Sequence, residues 1–231
     1  MILVCIISVA ATTFAYLHNA SEIVENTFTI GKIKLSLDEA KVNIHGKPVD
    51  YSGQEVDLDE APRVLENEYK LMPGRTYVKD PTVHVSDDRE PCYLFALVFI
   101  PDAINDVIKY DTNLTDEEDI GYQIVQNGWK SNGTRRGTGM DGSEGYYMWF
   151  EYWGGEPYPA KVSKGADLPF FQSITVKEGV TYDQLKKANA CTMEITAYAF
   201  QFEETDTVRW GDIFNTFETV FDPYNLRASS N

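Results

Sequence analysis

Histidines, cysteines and a surplus of carboxylates are the groups in this chain that could carry metal or nucleophilic chemistry. His18, His45 and His84 stand far apart, and none occupies His-Glu-x-x-His, which sets two zinc ligands and a general base on one helix face. His84 is followed by Asp87 and Asp88, but one imidazole beside loop carboxylates reads as polar surface. Asp57, Asp59 and Glu60 carry charge for calcium without the glycine-bearing loop of an EF-hand, and read as a solvated acidic turn. There is no Gly-x-Ser-x-Gly elbow and no Cys–His arrangement for acyl transfer. The residues therefore predict no catalytic group, no metal site, no cofactor and no enzyme.

Two other stretches invite chemistry. Gly137-Thr-Gly139-Met-Asp-Gly142 spells G-x-G-x-x-G, which binds a dinucleotide only between a strand and a helix. Here Arg135 and Arg136 precede it and an aromatic run follows, so a flexible hairpin loop is expected. That run, Tyr146 to Trp153, should send alternate rings into a core and the others outward. The outward set reads either as a sugar-stacking platform near Trp149 or as a core and self-association face. Cys5 lies in the first fifteen residues. Cys92 and Cys191 leave open a disulfide or two buried thiols.

Net charge is −16 over 231 residues, and residues 1–15 carry none of it. Such acidity opposes binding to nucleic acid or any other polyanion. The end of the chain, Ala228 to Asn231, offers no sorting motif or anchor helix, so no stable membrane anchor is expected.

The elements that must position these residues read as strands. Aromatics make up 13% of the chain, and short alternating runs are divided by Gly, Pro, Asn and Asp, as in an all-β antiparallel sandwich. Lys32 to Leu37 alternates, with Ile33, Leu35 and Leu37 on one face. Residues 38–68 read as short strands or loop. Met72-Pro73-Gly74 is a type II turn signal, and Pro81 sits where a strand can start. Cys92 to Ile100 is apolar on both faces, which predicts a central strand. Residues 101–145 read as a glycine-rich excursion, with a capping box from Thr115 to Glu118 opening a short helix through Ile120 and Ile124. Cys191 to Phe202 alternates again. Trp210, Ile213, Phe214, Phe217 and Phe221 recur at helical spacing before Pro223, predicting an amphipathic helix that covers the core.

The N-terminus predicts export. Met1 to Ala11 is too short to span a bilayer and suits the h-region of a signal peptide, although no basic n-region precedes it. Residues 1–15 are the expected signal peptide, cleaved between Ala15 and Tyr16. Residues 16–231 then form one β-sandwich domain led by an N-terminal strand arm.

Several blocks resemble one family. They are Glu25-Asn-Thr-Phe-Thr-Ile-Gly-Lys-Ile-Lys-Leu35 after the cleavage site, Pro73-Gly74 before Lys79-Asp80-Pro81-Thr82-Val83, and Trp129 with Tyr146-Tyr147 and Gly154-Gly155. Leu168-Pro169-Phe170-Phe171 leading into Ile174-Thr175-Val176, and Ile195-Thr-Ala-Tyr-Ala-Phe-Gln201, complete the set. The pattern resembles the TasA/camelysin family, with Leu168 and Pro169 in swapped order and a longer loop after Trp129. The resemblance implies a jelly-roll-like sandwich with short peripheral helices, secreted after cleavage by a SipW-type signal peptidase. It implies a structural subunit of extracellular matrix or surface fibres, and favours the core reading of the aromatic run. The metallopeptidase label attached to camelysins finds no motif here. An adhesin for carbohydrate or surfaces is the alternative. Gly31 interrupts the first alternating run, so Leu17, Ile23, Phe28 and Ile30 are the expected apolar residues of an arm that adds as a strand to a neighbouring copy or another matrix protein.

Overall fold

The computed structural model describes residues 35–86, 91–110, 116–157 and 159–201. The expected signal peptide, the Ala15–Tyr16 cleavage site, the arm residues Leu17, Ile23, Phe28 and Ile30, Asp87, Asp88 and the helix Trp210–Phe221 lie outside them.

The described chain is mostly antiparallel sheet with few short helices. In order it runs β1 (Leu35–Ala40), a 3-10 turn (Leu58–Glu60), β2 (Arg63–Val64), β3 (Thr76–Val78), β4 (Thr82–Val85), β5 (Cys92–Pro101) and α1 (Asp102–Val107). Then follow α2 (Ile120–Gln126), β6 (Trp129–Thr138), β7 (Glu144–Tyr152), β8 (Asp167–Pro169), β9 (Ser173–Thr175), α3 (Tyr182–Ala188) and β10 (Glu194–Gln201). One sheet has the order β2-β1-β4-β8, a second β10-β5-β7-β6, and β3 pairs with β9.

One apolar core joins these sheets. Leu35, Leu37, Val83 and Val85 from the first sheet share it with Leu94, Ala96, Val98, Ile195 and Ala197 from the second. Ser36 points out between Leu35 and Leu37, as period-two alternation requires. β5 is central in its sheet and buried on both faces, as its unbroken apolar sequence predicts. Turn Met72–Gly74 is also as expected: Gly74 has φ of 68°, and the Arg75 N–H donates to the Met72 carbonyl.

Two expectations are corrected, and one open alternative is decided. The glycine-rich stretch is mainly a strand: β6 pairs with β7 from Trp129↔Tyr152 to Thr138↔Glu144, with one irregularity between Ser131 and Gly133. Only residues 139–143 turn, and Gly139 is there because a Cβ would lie 2.2 Å from the Phe99 ring. Second, α2 does carry buried Ile120 and Ile124, but its cap is Asp119, whose Oδ1 accepts from the N–H groups of Gly121 and Tyr122. The capping box occurs in α3 instead, between Thr181 and Gln184.

Of the two readings left open for Cys92 and Cys191, the structure has free thiols, with Cys92 buried and Cys191 partly exposed. Cys92 pairs with Gln201 at one end of the β5–β10 ladder, whereas Glu194 pairs with Phe99 at the other. The seven residues between these ends put Cys92 roughly 24 Å from Glu194 at about 3.4 Å per residue, and the three residues from Glu194 back to Cys191 recover at most about 11 Å of that. A disulfide needs Cα atoms within about 7 Å. An intramolecular Cys92–Cys191 bridge is therefore incompatible with this register.

Candidate functional site: the clasp on the first strand

β1 is the first described strand, and the predicted arm feeds directly into it. Its residues alternate, so Asp38 and Glu39 point to opposite faces and are held by different partners.

On the outer face, His84 lies across from Ser36 in β4, and Asp167 of β8 lies across from His84. The imidazole bridges two carboxylates: Nε2 is 2.9 Å from Asp38 Oδ1, and Nδ1 is 2.6 Å from Asp167 Oδ1. Arg63 of β2 donates from Nε to Asp38 Oδ1 at 2.6 Å and from a terminal nitrogen to the Asp38 carbonyl at 2.9 Å. Its other terminal nitrogen reaches Asp80 Oδ2 at 2.5 Å. The hydrogen bond to Asp38 raises the His84 pKa; burial opposes this, and Asp167 adds to the rise. Burial pushes the Asp38 carboxyl up, but His84 and Arg63 outweigh it and hold the pKa below its ordinary value.

On the inner face, Glu39 is fully buried, with Lys79 Nζ 2.6 Å from its Oε2. Asn67 donates to Glu39 Oε1 at 2.9 Å and to the Ala40 carbonyl, while its own Oδ1 accepts from the Val42 N–H at 2.8 Å. Asp80 Oδ1 accepts from the Ala40 N–H at 2.7 Å. Lys79 also lies over the Tyr69 ring, 5.5 Å from its centroid. Burial raises the Glu39 pKa, and the Lys79 charge opposes that rise. Side chains thus satisfy the backbone where β1 leaves the ladder, which a buried strand end requires.

Arg63, Asn67, Lys79 and Asp80 were not singled out from sequence as site residues. The signal available was Lys79-Asp80-Pro81, whose charges precede a strand start and belong to the interior. The outer face holds no nucleophile next to a base. Among the described residues no cluster of three or more His, Cys, Asp or Glu is placed to hold a metal ion.

The other sequence candidates fall apart in space. Asp57, Asp59 and Glu60 form an exposed 3-10 turn, and Asp57 makes no side-chain cap bond. Gly137 and Gly139 run from a strand into a turn and then into β7, with no helix after them. Trp149 is only 6% exposed and offers no open ring face. Lys130 covers the partly exposed Trp153 ring at 3.6 Å. A polar depression of about 290 Å³ lies beside α2. Gln123 there spends its amide on the Ser173 carbonyl and the N–H groups of Gln172 and Ser173.

Sheet edges complete the picture. Within β1, Glu39 and Ala40 pair with β2, whereas Leu35 to Asp38 pair only with β4 among the described residues. β6 is an exposed edge carrying Lys130, Arg135, Arg136 and an irregularity near Gly133. Cationic side chains and bulges are the usual guards against edge-to-edge pairing. No helix among the described residues is long and apolar enough to cross a membrane. No family model, curated protein or solved structure matches this chain.

Proposed function

We propose that this protein is a secreted structural subunit of extracellular matrix or surface fibres, built on a jelly-roll-like β-sandwich resembling the TasA/camelysin family. Copies assemble by N-terminal strand exchange after a SipW-type peptidase cleaves between Ala15 and Tyr16. The observation that carries this reading is the treatment of β1. The strand directly downstream of the arm is fastened on both faces, by Arg63 and His84 outside and by Lys79 and Asn67 inside. Load on the arm would enter the fold through a strand tied to β2, β4 and β8 rather than through one that peels away.

The energetics accommodate strand addition. Burying Leu17, Ile23, Phe28 and Ile30 would contribute about 1.5–3 kcal/mol each, and each ladder hydrogen bond about 0.5–1.5 kcal/mol. A micromolar contact requires only about 8 kcal/mol net of association entropy. Addition of an arm to the next copy is head-to-tail and does not close, so it yields filaments.

Deleting Tyr16 to Thr27 should leave a folded monomer that no longer extends filaments, judged by electron microscopy and sedimentation. Filaments from the truncated chain indistinguishable from those of the mature protein would overturn strand exchange.

A further inference from the structure

Three side chains with complementary reactivity meet in the interior beside β1. Glu39, Asn67 and Lys79 are 0%, 5% and 1% exposed. One carboxylate holds the other two: Lys79 Nζ lies 2.6 Å from Glu39 Oε2, and Asn67 Nδ2 donates to Glu39 Oε1 at 2.9 Å. The amide has one workable orientation. Its Oδ1 accepts from the Val42 N–H at 2.8 Å and its Nδ2 also donates to the Ala40 carbonyl at 2.9 Å. Exchanging the two atoms would set donor against donor and acceptor against acceptor.

An amine, a carboxylate and a carboxamide, shut off from water and in contact, are the parts of a transamidation. Lys79 supplies the nucleophile, Asn67 a carbonyl carbon with a leaving nitrogen, and Glu39 a base that touches both. The Val42 N–H donates to the oxygen on which negative charge would develop, which is the place of an oxyanion donor. A buried ion pair needs only some donor on the second carboxylate oxygen; here that donor is a group able to acylate the lysine. Burial raises the Glu39 pKa against the Lys79 charge, so this carboxylate takes up a proton more readily than a solvated one.

We infer that Lys79 and Asn67 join in an intramolecular isopeptide bond, Nζ to Cγ, which the folded chain forms by itself with Glu39 as the proton carrier. Lys79 Nζ passes a proton to Glu39 and, now neutral, bonds to Asn67 Cγ, while the carbonyl electron pair moves onto Oδ1 against the Val42 N–H. Glu39 hands its proton to Nδ2 and takes one from Nζ. The Cγ–Nδ2 bond then breaks, its electron pair leaving on ammonia as the carbonyl re-forms. The ammonia takes the proton from Glu39 and departs as ammonium, which restores the carboxylate. An alkylammonium and a carboxamide thus become an amide and an ammonium ion, with no oxidant, reductant or co-reactant. The bond forms within one copy, so it does not depend on the fibre reading. Residues 67 and 79 stand only twelve apart (79 − 67), so the closed loop constrains the unfolded chain less than a bond between distant strands would. Its effect is local: it holds the segment through β3 to Asn67, the residue that satisfies the backbone at Ala40 and Val42.

The test is a tryptic map of the full chain. Trypsin cuts after Lys70 and Arg75, between the two residues, so the bond should give one branched peptide, residues 64–70 joined to 76–89, with no cleavage after Lys79. That peptide should be about 17 Da lighter than its two parts together, the mass of the ammonia lost. Asn67→Asp should give the same branch with loss of water, about 18 Da. Glu39→Gln should slow joining by at least about 100-fold. Cleavage after Lys79 in the native chain, with residues 64–70 recovered unmodified, would overturn the inference whether or not any variant folds. A loss of about 17 Da that persists in Lys79→Arg would also overturn it, because it would come from cyclisation of an asparagine on its own backbone. Undiminished joining in Glu39→Gln would do the same for the proton carrier.

Discussion

Lys79 and Glu39 form a salt bridge of 2.6 Å with both side chains fully shut off from solvent. The pair ties the approach to β4 to the inner face of β1, and its geometry is completed by Asn67 and the Tyr69 ring. Such a pair stabilises little relative to well-packed apolar residues, because desolvation offsets most of the attraction. Breaking one half of it is costly.

Lys79→Met should therefore cost about 3–5 kcal/mol in chemical denaturation, since it strands a buried carboxylate. Combining it with Glu39→Leu should recover most of that loss. Removing Lys79 also removes most of what opposes the upward shift of Glu39, leaving only the Asn67 hydrogen bond against it. The single variant should then fold with the carboxyl protonated and lose stability as pH rises above the ordinary carboxylate range.

The outer half of the clasp predicts a pH window. The His84 pKa is raised in the folded protein, so its contribution is fully present below the ordinary imidazole value of about 6.5 and is lost as pH climbs through the raised value. The Asp38 pKa is lowered, so its contribution is present above about 3.9 and disappears as pH falls through the depressed value. Urea midpoints should thus peak between about pH 4 and 6.5 for this cluster. His84→Gln should flatten the alkaline limb and leave much of the acid limb, which Arg63 and Asp38 still carry.

Gly145→Ala should cost about 1–3 kcal/mol through overpacking. A Cβ there would stand 2.3 Å from the Ile100 carbonyl oxygen and 2.7 Å from the Pro101 Cα, and backbone in the middle of a sheet has little room to give. Thermal denaturation of the variant gives the measurement, and an unchanged midpoint would refute this packing.

The two thiols should behave independently. Burial pushes the Cys92 pKa up to about 12, whereas Cys191 is partly exposed. A thiol reagent under native conditions should modify Cys191 and spare Cys92 until the chain unfolds. Oxidising conditions should produce no intramolecular link between them, as read by mass spectrometry of unreduced peptides.

Local sequence determined three of the strands and which side of each is apolar. The alternation at Leu35 to Leu37, the unbroken run of β5 and the alternation of β10 follow from the two-residue period of a strand. Turn chemistry at Pro73-Gly74 was legible for the same reason, because the backbone conformation selects those residue types. Partners were not legible. His84 meets Asp38 and Asp167 at separations of 46 and 83 residues, and Lys79 meets Glu39 at 40, because antiparallel register brings them together. A lysine before an aspartate and a proline looks solvated in one dimension, and only its place between strands makes it interior. The glycine-rich stretch read as loop because its side chains neither alternate nor pack. It became β6 because β7 supplies a ladder for its backbone, a contribution that side-chain pattern does not encode. Alternation likewise assigns Phe95, Leu97 and Trp149 to faces, but their burial depends on what the tertiary structure lays above them.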